Sequence, residues 1–325
     1  MAGPIVTGER PQRSSEPVLV FGEVHTCLLP HRQALNGCDA ANVLRWRADE
    51  RVPISERPNL YIRSSDVPTG VDCHLPTASG AKTRAVGTVT AHATLTEGRL
   101  LQVGAHCTVT ADGPGQRRHW GYYLARTGVL EPFGTLPVRD VADGCLSDGL
   151  RPGDLDLRAI VGRSLTRVLR NSTLDRQPPF KSQTTRLRWV ALRAADGEGP
   201  CLQQFTLVGN TLRTAELRLP TNIPPAAAAG LCHDLALHDW LLTTLVKMVQ
   251  RSRLGSTDGR NALTALRPAV DHLMHLWMPA ARVDQTLRPL WEVLECEPGF
   301  TRQWQLLVHR IRDQLALQTV TDLPP

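Results

Sequence analysis

The hydrophobic periodicity of the sequence changes at residues 220–225, and this change constrains the fold more than any other feature. Before it, apolar residues alternate with polar ones or form short runs bounded by glycine and proline, which is typical of β-strands. After it, up to about residue 318, apolar residues recur every three or four positions, as in helices that bury one face. We therefore expect an α+β protein whose N-terminal part is mainly an antiparallel β-sheet and whose C-terminal part is a helical bundle.

At 325 residues the chain is long enough for two domains. We predict a disordered polar tail over residues 1–17, a β-rich α+β domain over 18–220 and a helical domain over 224–320. Within them the patterns predict strands at 18–29, 184–193, 201–208 and 211–219, and helices at 156–170, 226–251 and 300–318. Pro268 and Pro289 fit the first turns of two further helices, where proline is tolerated.

The clearest local pattern is a hairpin over residues 85–109. Its odd-numbered positions are apolar or small, and a loop at 96–98 would pair Ala93 with Leu101 and Ala91 with Val103. The even-numbered positions are polar, and alternation predicts that they form a solvated outer face. The polar positions of this face are Thr88, Thr90, His92, Thr94, Gln102, His106 and Thr108.

Positive charge is concentrated in residues 158–193. This segment holds nine basic residues against one acidic residue, a net +8, whereas the whole chain carries only +6. Such a local excess suggests a surface for an acidic protein partner, a nucleotide or a nucleic acid, although a solvated arginine-rich face fits equally well. The candidate binding residues on the predicted helix and the strand after it are Arg163, Arg167, Arg170, Arg186 and Arg188.

Two Asp–His pairs in the helical part are candidate metal ligands. Asp234 and His238 are four positions apart, as are Asp271 and His275, so each carboxylate can orient its imidazole on one helix face. If the helices pack side by side, the four could hold zinc, iron or manganese and activate a water molecule. The alternative interpretation is structural, because His238 lies in an apolar stripe as a core histidine would. A second group of histidine and cysteine residues between positions 25 and 38 has no recognised zinc spacing.

Several stretches of the sequence resemble a Streptomyces-type (actinobacterial) protein family of uncharacterised activity that is known by a locus-derived name. They are LVFGEVHTCLLPHRQAL (19–35), GVDCHLPTASGAKTRAVGTV (70–89), LALHDWLL (235–242), LRPAVDHLMHLWMPAAR (266–282) and the segment 298–317. The resemblance covers nearly the whole chain from about residue 18. It implies an actinobacterial cytoplasmic protein encoded beside a variant P-loop protein and a methyltransferase, and it implies no activity.

These observations favour a non-enzymatic accessory component that binds a protein partner, with that variant P-loop protein as one candidate. The sequence contains no Gly-rich phosphate loop, no dinucleotide fingerprint and no nucleophile elbow. A metal-dependent hydrolase and a nucleic-acid or nucleotide binder remain alternatives. We expect reduced thiols in the cytoplasm, no membrane association and no cofactor unless the Asp–His pairs bind zinc, iron or manganese.

Overall fold

The structure, a computed structural model, describes residues 17–111, 113, 116–252, 259–296 and 299–321. Within these residues the chain forms ten strands and eight α-helices. The strands are β1 (Pro17–Leu28), β2 (Ile54–Ser55), β3 (Tyr61–Arg63), β4 (Val67–Leu75), β5 (Thr83–Thr96), β6 (Leu100–Thr110), β7 (Val129–Phe133), β8 (Thr185–Arg193), β9 (Cys201–Val208) and β10 (Leu212–Leu219). The helices are α1 (Gly37–Leu44), α2 (Trp120–Leu124), α3 (Val138–Leu146), α4 (Leu157–Leu169), α5 (Pro225–Ser252), α6 (Gly259–His272), α7 (Arg288–Cys296) and α8 (Phe300–Thr321).

All ten strands belong to one mixed sheet. Its order is β2-β3-β5-β7-β6-β1-β8-β10-β9, with β4 paired to β5 and β5 also paired to β6. Most pairs are antiparallel, and the described parallel ones are β8 with β10 and β6 with β7. The chain is therefore a mixed α and β protein with its strands before residue 220 and four helices after it, as the change in periodicity predicts. The predicted strands and the helices that match α4, α5 and α8 are present.

Helices cover both faces of this sheet. On one face α1, α3 and α4 cover an apolar core that includes Phe21, Val103 and Val190. On the other face α5 packs on β1, β6 and β8, and α6 and α8 pack on α5. Because α5 is enclosed by the sheet and by other helices, it is buried on nearly all sides.

The core on the α5 side contains residues of both predicted domains. Trp189 of β8 and Trp240 of α5, both fully buried, belong to the same apolar cluster. The domain boundary and the helical bundle stay predictions, and the predicted disordered tail, apart from Pro17, lies outside the described residues. Among the described helices, none combines the length and the apolar content that crossing a bilayer requires.

The hairpin of β5 and β6 confirms the predicted inner face but not the predicted register. Ala93 pairs with Val103 and Ala91 with Ala105, so the loop is residues 97–99. A two-residue shift leaves every side chain on its predicted face. The cause is Glu97, which adopts a left-handed conformation (φ 49°) beside Gly98 (φ 57°). The main-chain N–H and side chain of Glu97 are both bonded to the backbone of Leu60, at 2.7 and 2.8 Å.

Two further predictions are wrong. Helix α6 begins at Gly259, so Pro268 lies inside it rather than in its first turn, where the ring removes one backbone hydrogen bond. The polar face of the hairpin is largely buried, because α5 and the segment after α6 cover it. His92, for example, is 6% exposed. Pro289, in contrast, lies in the first turn of α7 as predicted.

Candidate functional site

A cavity of about 530 Å³ between the sheet and α5 could hold a ligand. A volume of this size is typical of sites for small organic molecules. The floor of the cavity is the polar face of β5 and β6. Strand alternation places these side chains on one face, and the polar residues of the floor are Thr90, His92, Thr96, Gln102, His106 and Thr108.

One stripe of α5 forms the opposite wall. Ala226, Ala229, Gly230, His233 and Leu237 recur at helical spacing, so they face the cavity together. Three of these five residues are alanine or glycine, which leaves space between the helix and the sheet. A Cβ atom at Gly230 would have no neighbour within 4 Å, so this position faces open space. Glycine inside a helix costs about 1 kcal/mol relative to alanine, so the open position lowers the stability of α5.

The side walls come from two segments far apart in sequence. Asn59, Tyr61 and Arg63 belong to the edge of the sheet around β3, and Met278 and Arg282 belong to the segment between α6 and α7. These walls meet directly, because Arg282 Nη2 donates to the backbone oxygen of Asn59 at 2.7 Å and to its side-chain oxygen at 3.0 Å. This side of the cavity is therefore held by contacts across more than 200 positions of the chain.

Three histidines line the deep part of the cavity. The rings of His92 and His233 stack at 4.5 Å with 18° between their planes, and the His106 ring lies edge-on to His92 at 6.4 Å. His233 fits because Gly104 lies beneath it, where a Cβ atom would come within 2.1 Å of the imidazole Nε2. Stacked rings direct their nitrogen lone pairs in nearly parallel planes, so the pair does not converge on a common ion.

Burial keeps these histidines neutral at neutral pH. It lowers the pKa of His106 to about 4 and that of His233 to about 3, and it holds the pKa of His92 well below its usual value. A neutral imidazole has one N–H donor and one acceptor nitrogen. The buried Nδ1 atoms of His92 and His233 have no hydrogen-bond partner among the described residues. Buried polar atoms are almost always paired, so these two nitrogens are available to bond a polar group that enters the cavity.

Four charged groups lie in the cavity walls. Arg63 is paired with Asp66 (Nη2–Oδ1 2.6 Å), and Asp66 Oδ1 lies 3.7 Å from His92 Nδ1, which is beyond hydrogen-bond distance. Burial raises the pKa of Asp234, whose Oδ2 accepts from the Ala280 N–H at 2.8 Å. Arg282 is the fourth, and desolvation lowers its pKa. The guanidinium of Arg282 has no ion pair with any described residue.

The chain has no match among protein-family models, curated proteins or solved structures. The resemblance to a Streptomyces-type family and the gene neighbourhood that it implies therefore stay predictions.

The four predicted metal ligands are not brought together. Asp234 and His238 are buried on α5, where His238 Nδ1 is 2.8 Å from the Asp234 backbone oxygen and Nε2 accepts from the Met278 N–H at 3.3 Å. Asp271 instead lies on the exposed side of α6, paired with Arg267, and His275 is also exposed. The described residues contain no group of three or more His, Cys, Asp or Glu side chains that could hold a metal ion. His238 has the contacts of a core histidine.

The five predicted arginines separate into two sets. Arg163, Arg167 and Arg170 lie on the exposed face of α4, as predicted. Arg188 is 6% exposed and belongs to a buried charge cluster beneath α3 and α4. In this cluster Glu23 accepts from Arg188 at 3.0 Å, and Arg186 lies 3.7 Å from the same carboxylate.

The reason for the separation is strand alternation. Arg186 and Arg188 point to the helix-covered face that β8 shares with Val190 and Leu192. On this face their positive charge compensates the carboxylate of Glu23 of β1, which is 2% exposed. The guanidinium of Arg188 also reaches Asp148 at 3.1 Å. These two arginines therefore offer little charge to a partner at the surface.

Proposed function

We propose that this protein binds a small organic molecule in the cavity between the sheet and α5. One observation carries the proposal: two buried imidazole nitrogens without a partner line a cavity large enough for such a molecule. The sheet side of the cavity offers hydroxyl, amide and imidazole groups, and the helix side offers aliphatic groups. A molecule with a polar end and an apolar body fits both sides.

The exposed glycine of α5 gives a direct test. Replacing Gly230 with Phe places a ring at an open position of the cavity wall. The control is Gly230→Ala, which removes the same glycine but adds only a methyl group and so leaves the cavity open. The probe is N-phenyl-1-naphthylamine, an uncharged dye that fluoresces in apolar sites. We expect the wild type and Gly230→Ala to bind it equally, and Gly230→Phe to bind it roughly tenfold more weakly or worse.

The alanine variant also controls for stability. Gly230→Ala should raise the free energy of unfolding by about 1 kcal/mol, because alanine is the better helix former. Equal dye binding by the wild type and by folded Gly230→Phe would refute ligand binding in this cavity. A higher free energy of unfolding for Gly230→Ala, with an unchanged affinity for the dye, would agree with a glycine whose role is to leave space in the cavity wall.

A second candidate function is binding of an acidic protein segment on α4. Arg163, Arg167 and Arg170 lie at helical spacing on one exposed face and have no ion pair with any described residue. The Arg167 guanidinium lies 4.8 Å from the centre of the Trp46 ring and donates to the Trp46 backbone oxygen, which holds it in place. A row of unpaired guanidinium groups favours an acidic partner. The partner-binding and nucleic-acid hypotheses both depend on this face.

Charge reversal of two of these arginines tests the second candidate. We expect the Arg163→Glu/Arg167→Glu variant to bind immobilised poly-L-glutamate at least roughly tenfold more weakly than the wild type at near-physiological salt. The matched control is Arg288→Glu/Arg310→Glu, which changes the net charge equally at exposed positions of α7 and α8. Equal losses in both variants would rule out a specific site. Tighter binding to duplex DNA, with a steep salt dependence, would favour the nucleic-acid alternative instead.

A further inference from the structure

We infer that the ligand of the cavity is an organic acid whose single anionic group pairs with Arg282. This inference rests on the proposed function, because it names the class of molecule that would occupy the same cavity. It depends on one cation in the wall, on the way that cation is held and on the neutral groups that surround the remaining space.

The guanidinium of Arg282 is partly buried and has no ion pair with any described residue. Burial lowers its pKa, and the carboxylates that act on it, those of Asp234 and Glu97, form no ion pair with it. Asp234 is bound to a backbone N–H, and burial raises its pKa. Glu97 is bonded to the backbone of Leu60. A partly buried cation without a paired charge is unfavourable, and a bound anion would relieve this.

Arg282 is also held in position before any ligand arrives. Its guanidinium carbon lies 4.2 Å from the centre of the Tyr61 ring, a stacking that fixes the plane of the group. Its hydrogen bonds to the described residues all use Nη2, which donates to the oxygens of Arg57 and Asn59. The Nη1 and Nε donors make no bond to the described residues. Such preorganisation reduces the entropy that ligand binding must overcome.

The rest of the cavity limits the ligand to one negative charge and an apolar body. The other wall arginine, Arg63, is already paired with Asp66, so a polyphosphate would find too few free cations. Leu237, Leu276 and Met278 provide aliphatic surface that an inorganic ion would leave unused. The neutral imidazoles at the deep end can bond a hydroxyl, carbonyl or amine of the same molecule.

Two dyes that differ by one anionic group test this inference. 8-Anilinonaphthalene-1-sulfonate carries a sulfonate on the same aromatic body as the uncharged N-phenyl-1-naphthylamine. We expect the wild type to bind the sulfonate dye more tightly. The Arg282→Met variant should lose roughly tenfold or more of that affinity while its affinity for the uncharged dye changes less than about twofold. The matched control is Arg267→Met, a change at an exposed arginine of α6.

The two dyes separate the failure of this inference from the failure of the proposed function. If Arg282→Met weakens the binding of both dyes equally, Arg282 only shapes the cavity wall. If the affinity for the sulfonate dye is unchanged, Arg282 plays no part in binding the anionic group. Either result overturns the inference while the cavity still binds the uncharged dye. If Gly230→Phe leaves the binding of both dyes unchanged, the proposed function itself fails.

Discussion

Replacing Glu23 with Gln is expected to lower the free energy of unfolding by about 3–5 kcal/mol, which is the usual effect of removing one partner from a buried ion pair. Glu23 is the acid shared by Arg188, Arg186 and His25, whose Nε2 lies 2.8 Å from its carboxylate. Burial alone would raise the pKa of Glu23. The contacts with His25 and Arg188 lower it by more than burial raises it, so the net shift of the pKa is downward. The neutral amide would leave two guanidinium groups in a buried site with too little negative charge. Urea denaturation at neutral pH measures the change.

An exposed ion pair provides the control for this prediction. Asp271→Asn removes the acid paired with Arg267, whose side chain is 81% exposed, and should change the free energy of unfolding by less than about 0.5 kcal/mol. Adding Arg188→Met to Glu23→Gln should recover part of the lost stability, because it removes one uncompensated charge. A loss below about 1 kcal/mol for Glu23→Gln would show that the cluster is better hydrated than its burial indicates.

Acidification from about pH 7 to about pH 4.5 is expected to lower stability by about 3 kcal/mol through His233 alone, at about 1.4 kcal/mol per pH unit. The pKa of this histidine is about 3 in the folded protein, and its reference value is 6.5. Below pH 6.5 the unfolded chain therefore takes up a proton that the folded chain does not. The stability contributed by the neutral ring falls as the pH drops, and the fall ends near the folded pKa. His92, whose pKa burial also lowers, acts in the same direction.

The measurement compares variants rather than absolute stabilities, because the carboxylates of the protein also titrate on acidification. The loss of stability between the two pH values should be about 3 kcal/mol smaller in His233→Gln than in the wild type. The same substitution at His309, on the exposed face of α8, should leave the loss unchanged. An identical pH dependence for His233→Gln and the wild type would mean that the ring is protonated in the folded state.

The elements that periodicity specifies could be predicted from the sequence. Alternation defines the inner face of β5 and β6, and the three-to-four spacing defines α4, α5 and α8, because both are local properties of the chain. The hairpin register could not be predicted, since it depends on the anchoring of Glu97 to Leu60, a contact across 37 positions. Alternation also shows only that the two faces of a strand differ. Whether the polar face meets water or a cavity is decided by α5, which lies more than 100 positions later.

The candidate site was harder to predict for the same reason. The sequence does indicate His92 and His106 on one polar strand face, and their presence there was the available signal. Asn59, Arg63 and Arg282 come from segments without periodicity, and no local pattern distinguishes them from surface residues. The local charge count correctly locates the exposed arginines of α4. The charge count cannot show that Arg188 is buried in an ion pair with Glu23, which lies 165 positions away.

The position of β1 within the sheet has a consequence for how the chain is made. β1 is the first strand, yet its neighbours are β6 and β8, and its pairing with β8 spans 165 positions at Glu23 and Arg188. At a synthesis rate of roughly 5–20 residues per second, β1 emerges about 10–30 s before β8, its second neighbour. The sheet face that α5 covers stays uncovered for longer, because α5 follows β8 in the chain. During that interval a strand edge and an apolar face are open to other chains. The nascent polypeptide, more than the finished protein, is therefore the form that needs protection from aggregation by chaperones.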